Sequence, residues 1–272
     1  MAKFGFFDYT KPGPGVDKKA PKKKAFFAFL ELWFNNIWSL VSVNISYSLL
    51  FTFILPSGLA GAGAANVARS IVRGKHSFGM SDFWDTVKKN WKQALPAGII
   101  NTLITALLAY GTYFYFYAKG VFSVIGTGVL LCVFMIFSFM KYYIWLLLIT
   151  FKLPLRKIYK NAFLFSFINF KKNLIVGGVS LLYYALMFVI FWALPNSLTV
   201  TILLLVTIMF FVGFKQLLIL YCAFPSVEKV MIIPYYEKNP DADIELRRNL
   251  GLIKEDEDEA VFNDERILKS DE

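Results

Sequence analysis

Two lysines, Lys141 and Lys215, stand within long apolar runs of this 272-residue chain. A charged side chain inside a membrane segment commonly marks an ion or substrate pathway. Lys141, however, follows Gly120 by 21 residues, and Lys215 follows Asn196 by 19. At a helical rise, these spacings put both lysines about 28–32 Å from turns on the far side of a bilayer. The sequence therefore favours lysines that reach the head groups of the near interface over lysines that carry a solute.

Three uncharged polar residues, Asn44, Asn101 and Thr105, fall deeper in the apolar runs. Such side chains form hydrogen bonds between helices or line a small polar cavity. Interhelical hydrogen bonds of this kind contribute under about 1 kcal/mol on average. We interpret the three residues as packing contacts more readily than as a pathway.

A polar and aromatic cluster lies outside the apolar runs. Ser81 is predicted to cap a short amphipathic helix whose first turn holds acidic residues. One interpretation of this helix is an anchor at the membrane interface, and the other is a docking surface for a partner protein. The same two interpretations apply to Arg156, Lys157 and Lys160. The candidate docking residues are Asp82, Phe83, Asp85, Asn90, Trp91, Lys92 and Gln93.

Enzyme chemistry finds little support in these residues. His76 is the only histidine, and it lies in a basic loop. The apolar runs contain no Asp or Glu, so paired carboxylates for acid and base catalysis, or for a metal cage, are missing at membrane depth. Gly58, Gly61 and Gly63 follow no strand pattern and precede no Gly-Lys-Ser/Thr, so they do not predict a phosphate-binding loop. We predict no catalytic residue, no metal ligand and no cofactor.

Five apolar runs must position these residues. They cover 33–55, 94–118, 121–151, 174–194 and 198–223. Each reaches or exceeds the roughly 20 residues that a helix needs to cross about 30 Å of hydrocarbon, and none alternates with the two-residue period of a barrel strand. An apolar content of 57% and a mean hydropathy of +0.54 lie outside the range of soluble domains. The sequence predicts an all-α integral membrane protein.

The basic residues predict how the chain crosses the membrane. Seven lysines precede residue 25, and further basic residues gather in 69–92 and 152–172. Positive segments stay on the cytoplasmic side, so the Gly/Ala-rich stretch 58–72 must bring the chain back after the first crossing. It covers only about 22 Å as a helix and forms a short or re-entrant limb. We predict about six helical limbs in three hairpins, five of them full crossings. The alternative of five crossings with an external N-terminus leaves the seven lysines on the wrong side.

This topology divides the chain into a basic cytoplasmic tail at 1–25, a polytopic transmembrane domain at 26–224 and an acidic cytoplasmic tail at 225–272. Residues 1–223 carry 22 Lys and Arg against 5 Asp and Glu, whereas residues 224–272 carry 7 against 14. Cytoplasmic retention and attraction to anionic lipids explain the basic part. The predicted partner is therefore the lipid bilayer, with no nucleic acid. Pro225 and Pro234 are expected to interrupt the tail, and 255–259 is an acidic run.

A weak internal repeat agrees with three hairpins. Phe34-Asn35-Asn36, Lys88-Lys89-Asn90 and Lys171-Lys172-Asn173 each follow an aromatic stretch and precede a crossing. These stretches predict amphipathic helices at the interface that lead into each hairpin. Convergence is the alternative, because aromatic and basic residues gather at any membrane interface.

Three segments also resemble a known family. Asp8-Tyr-Thr-Lys-Pro-Gly-Pro-Gly-Val16, Phe26-Phe-Ala-Phe-Leu-Glu31 and Ser81-Asp-Phe-Trp-Asp-Thr-Val-Lys-Lys-Asn-Trp-Lys-Gln93 are similar to segments of the YesL-like bacterial membrane proteins. The likeness covers residues 1–225. Leu59 stands where members often have a threonine, so no role for that hydroxyl is carried over. The resemblance implies a multipass protein of the bacterial plasma membrane, without established biochemistry and often associated with carbohydrate uptake.

We therefore expect an accessory or scaffold subunit of another membrane system, with carbohydrate transporter subunits as candidate partners and both termini in the cytoplasm. A small-solute transporter or channel is the alternative, and a lipid-modifying enzyme is the third hypothesis. The sequence leaves the oligomeric state open.

Overall fold

A computed structural model describes residues 24–52 and 57–238 of the chain. Within these two ranges, all regular secondary structure is helical. Most of the basic tail, the turn at Pro56 and the acidic run at 255–259 lie outside the described residues. The helices are α1 (Ala25–Asn35), α2 (Ile37–Phe51), α3 (Ser57–Val72), α4 (Met80–Tyr117), α5 (Val121–Thr150), α6 (Leu155–Ile168), α7 (Phe170–Ala193), α8 (Ser197–Val206), α9 (Val212–Val227) and α10 (Ile233–Lys238).

Four continuous helical segments are long and apolar enough to cross a membrane, namely Met80–Tyr117, Val121–Thr150, Phe170–Ala193 and Ser197–Tyr236. α1 and α2 together are also long and apolar enough for a fifth span, but they meet at an angle of 72°. α3 has 16 residues and covers about 24 Å, less than the hydrocarbon thickness of about 30 Å. The predicted all-α membrane fold is confirmed, and the described residues contain four continuous candidate spans, a bent fifth one and a short limb.

The short limb α3 is the centre of the molecule. It packs against α2, α4, α5 and α9, and ten of its residues are buried, nearly all of them Gly or Ala. Small side chains let neighbouring backbones approach closely. A Cβ atom at Gly58 would lie 2.6 Å from the Cα atom of Gly98 in α4. Because this limb is rich in small residues, it is buried among other helices and does not face lipid.

Two of the three predicted interfacial helices meet their crossings at similar joints. Asn36 (φ −115°, ψ 18°) is the C-cap residue that follows α1, and Asn169 (φ −107°, ψ 28°) is the C-cap residue that follows α6. Both residues leave the helical region of φ and ψ for one position before the next helix begins. The third segment continues into its crossing as α4, without a break and with Pro96 inside the helix. The first crossing, predicted as one run at 33–55, is therefore divided at Asn36.

The last limb is helical over 40 residues, from Ser197 to Tyr236. It contains two π-helical segments, Thr207–Phe211 and Glu228–Ile232. Pro225 and Pro234 lie within it and do not end it, so the first residues of the predicted acidic tail are helical. Burial of Ala223, Phe224 and Val227 against the core offsets the backbone hydrogen bond that a proline removes.

Candidate functional site

Two of the candidate docking residues hold α4 in place. The Phe83 side chain is 0% exposed and covers Gly63 of α3, where an added Cβ would lie 2.7 Å from the phenyl ring. The Asp82 carboxylate accepts hydrogen bonds from the Ser77 hydroxyl (2.8 Å) and the Phe78 amide (3.0 Å). Both side chains are occupied by contacts within the chain.

The start of α4 differs from the prediction. Gly79, and not Ser81, is the N-cap residue, and its φ of +47° lies in the region that favours glycine. Ser81 is exposed in the first turn. The prediction was wrong because the helix begins earlier: the Phe83 amide donates to the Gly79 carbonyl (3.0 Å), so Ser81 already lies within the first turn.

The remaining docking candidates lie on the outer side of α4. Asp85, Trp91 and Lys92 are exposed, and the Lys92 ammonium lies 5.9 Å from the centroid of the Trp91 ring. Asn90 donates to the Thr86 carbonyl of its own helix (3.0 Å). Gln93 donates to the Leu153 carbonyl (3.2 Å), which ties α4 to the segment before α6. We call the exposed set the α4 surface: Asp85, Lys88, Lys89, Trp91 and Lys92.

Asn44 is a buried packing residue. Its amide donates to the carbonyl of Met209 (2.6 Å), which lies in the first π-helical segment. Gly213 leaves the space for it, since a Cβ there would lie 2.8 Å from the Asn44 amide oxygen. The wider π-helical turn leaves the Met209 carbonyl available to accept this hydrogen bond from α2.

The structure brings Asn101, Thr105 and Lys141 together. The Thr105 hydroxyl donates to the Asn101 carbonyl (2.6 Å) and accepts from the Lys141 ammonium at 3.4 Å. Tyr159 of α6 donates to the amide oxygen of Asn101 (2.9 Å) and approaches the Ala97 carbonyl at 3.2 Å. We call Asn101, Thr105, Lys141 and Tyr159 the Lys141 cluster.

Lys215 lies outside this cluster. Its ammonium is 5.8 Å from the centroid of the Tyr184 ring, and the Lys141 ammonium has a corresponding contact of 5.7 Å with Phe137. Aromatic faces stabilise a cation where water is scarce. Each of the two lysines therefore has an aromatic contact within the chain.

Arg69 has a role that its place in a basic loop did not indicate. Its guanidinium donates to the Ile149 carbonyl (3.2 Å) and the Thr150 hydroxyl (3.0 Å) at the end of α5, and to Asn66 (2.7 Å). A cation at a helix C-terminus satisfies free carbonyls and favours the helix dipole. Just beyond α3, the pKa of Arg73 lies below its ordinary value, because the lowering effect of burial exceeds the raising effect of the Glu228 carboxylate.

An apolar groove of about 340 Å³ opens between α1, α7 and the last limb. Its lining includes Trp33, Phe210 and Phe214. Tyr183 also lines it, but the Tyr183 hydroxyl is 2.7 Å from the Thr207 hydroxyl and forms a hydrogen bond with it. This groove offers an apolar surface rather than a site for a polar solute. Within the described residues, no group of three or more His, Cys, Asp and Glu side chains is arranged to hold a metal ion.

One comparison with known proteins matches part of the chain. A family model described as "Protein of unknown function, DUF624" matches residues 31–112. This segment includes α2, α3 and most of α4, and so contains the buried centre of the fold and the α4 surface. No curated protein and no solved structure matches the chain.

Replacing Tyr159 with phenylalanine is expected to lower the free energy of unfolding by about 1 kcal/mol. The change removes the hydroxyl that bonds to Asn101 and leaves a buried amide oxygen without this donor. Thermal unfolding of the protein in detergent would measure the effect. Tyr117→Phe, at a tyrosine that is 68% exposed, is the matched control, and equal losses in both variants would contradict the role of the Asn101 contact.

Proposed function

We propose that this chain is a multipass protein of the bacterial plasma membrane that acts as an accessory or scaffold subunit of another membrane system. We propose that both termini lie in the cytoplasm, because the positive-inside rule favours that side for the basic N-terminal tail and six limbs would return the chain to it. The resemblance to YesL-like proteins makes a carbohydrate uptake system the proposed partner. The α4 surface is the observation on which the docking proposal rests.

The α4 surface has the features of a docking site. It is exposed, whereas the residues beneath it are fixed: Phe83 is buried, and Asp82 and Gln93 form hydrogen bonds within the chain. Three lysines against one aspartate favour an acidic partner surface. Trp91, 51% exposed, supplies an aromatic side chain of the type that dominates many interfaces. We therefore propose that α4 presents this surface to an acidic cytoplasmic segment of a transporter subunit.

A small-solute transporter or channel is the second candidate. It is favoured by Lys141 and Lys215, which bring two positive charges into apolar helices. The contacts of these lysines with Thr105, Phe137 and Tyr184 and the apolar groove weigh against a polar pathway. Uptake of solute by the purified protein alone in liposomes would support this candidate.

Charge reversal on the α4 surface is expected to remove the partner. The experiment compares the wild type with Lys88→Glu/Lys89→Glu/Lys92→Glu after mild-detergent purification from the native host and quantitative mass spectrometry. Loss of complementary charge should reduce recovery of the transporter subunits by about tenfold or more. The control is Lys119→Glu, at an exposed lysine in the turn between α4 and α5. It also replaces a lysine with a glutamate, but outside the α4 surface.

Two results would contradict the accessory role. One is recovery of the protein without transporter subunits even after chemical crosslinking. The other is equal recovery of those subunits by the wild type and the triple variant, which would move the docking site away from α4. Thermal unfolding of each variant shows whether it is folded. A folded variant should keep nearly the stability of the wild type, because exposed substitutions change stability by only about 0.5 kcal/mol.

A further inference from the structure

The exposed face of α6 changes character along the helix axis. Ile158, Ala162, Phe165 and Ser166 form its buried face. The exposed residues of the first half are basic, and those of the second half are large and apolar, with exposures between 46% and 58%. We call this set the α6 face: Arg156, Lys157, Lys160, Phe163, Leu164, Phe167 and Ile168.

Two contacts place the α6 face at a membrane boundary. Tyr159 bonds to Asn101 of α4, and the Phe165 ring stacks on Tyr143 of α5 with centroids 5.4 Å apart. Asn101 lies 16 residues before the end of α4 at Tyr117, which is about 24 Å along the helix. In a hydrocarbon layer of about 30 Å, this level is close to the boundary on the side of the basic loops.

The charge of the α6 face calls for an anionic ligand. α6 contains no acidic residue, and its three exposed cations are within about one turn of each other. A single-sign cluster at head-group level attracts anionic lipids. The four apolar side chains follow the cations on the same side of the helix, and they need an apolar cover at the same boundary. A phospholipid at this boundary offers both groups, a phosphate for the cations and acyl chains for the apolar side chains.

We propose that the α6 face is a binding site for an anionic phospholipid of the leaflet on the side of the basic loops. Arg156, Lys157 and Lys160 bind the phosphate, and Phe163, Leu164, Phe167 and Ile168 contact the acyl chains. This site shares no residue with the α4 surface and does not depend on a protein partner.

Native mass spectrometry of the full chain in mild detergent tests the proposal. Phosphatidylglycerol and phosphatidylcholine are the probes, and Arg156→Gln/Lys157→Gln/Lys160→Gln is the variant. The wild type should retain one phosphatidylglycerol per chain in preference to phosphatidylcholine. Since each cation near a lipid surface contributes a factor of about five, the triple variant should bind phosphatidylglycerol roughly 100-fold more weakly.

Lys88→Gln/Lys89→Gln/Lys92→Gln removes the same charge from α4 and should keep the preference. Phe163→Ser/Phe167→Ser tests the acyl-chain contacts. It should weaken the binding of both lipids and leave the preference for phosphatidylglycerol unchanged. If the α4 and α6 charge variants lost equal affinity for phosphatidylglycerol, the proposal would be overturned. Nonspecific attraction between the lipid and basic residues would then explain the binding. Displacement of the lipid by inorganic phosphate at similar concentration would also overturn it, since the acyl chains would then contribute nothing.

Discussion

Replacing Gly58 with alanine is expected to lower the free energy of unfolding by about 2–3 kcal/mol. The added methyl group would meet the carbonyl oxygen of Ala94 and the Cα atom of Gly98. Both belong to the backbone of α4, so neither can turn aside as a side-chain end would. The two central helices would have to separate, with loss of contact along their whole interface.

Thermal unfolding in detergent measures this effect, and α7 offers a matched control. Gly178 is exposed within a helix, and a Cβ there would meet no atom within 4 Å. Gly178→Ala should therefore be neutral or raise stability slightly, by up to about 1 kcal/mol, because alanine is the better helix former. Equal stability of Gly58→Ala and Gly178→Ala would show that α3 and α4 do not touch at Gly58.

Truncating Phe83 to alanine is expected to cost about 3–5 kcal/mol of stability. The ring is fully buried between α4 and the Gly63 segment of α3, so its removal leaves a cavity in the centre of the fold. Trp91→Ala is the control on the same helix, since the Trp91 side chain is 51% exposed. Its stability should change by only about 0.5 kcal/mol.

Comparing Phe83→Ala with Trp91→Ala distinguishes a packing role from a partner-binding role for residues of α4. If Phe83→Ala kept wild-type stability but lost a partner, Phe83 would be a docking residue and the packing described above would be wrong. The expected pattern is the reverse: Phe83→Ala unfolds early, and Trp91→Ala stays folded and binds the partner less well. Interaction experiments on this helix should therefore change Trp91 or the lysines and leave Asp82 and Phe83 intact.

The sequence predicted those features that depend on one segment at a time. Long apolar runs predicted the spans because a helix in lipid must satisfy its own backbone. The small residues of 58–72 predicted a short limb, and the aromatic stretches predicted the helices before the crossings. The start of α4 was misplaced by two residues, since the bond between Asp82 and Phe78 and the left-handed Gly79 have no clear signal in composition.

Contacts between distant segments were beyond the sequence. Asn101, Thr105 and Lys141 were each noted as isolated polar residues, yet Tyr159 and the antiparallel pairing of α4 with α5 make them one cluster. Arg69 was noted only as one of several cations, although it bonds to the end of α5. Helix rotation and register set these partners, and neither is encoded in a local pattern.

By itself the sequence determined that this is an all-α membrane protein with one short Gly/Ala-rich limb, because hydrophobic length and charge placement act locally against the bilayer. Only the tertiary structure decided that this limb is the buried centre and that Phe83 belongs to the core. It also decided which side of α4 and which side of α6 stay exposed, because packing between segments distant in the chain determines which side of each helix is accessible.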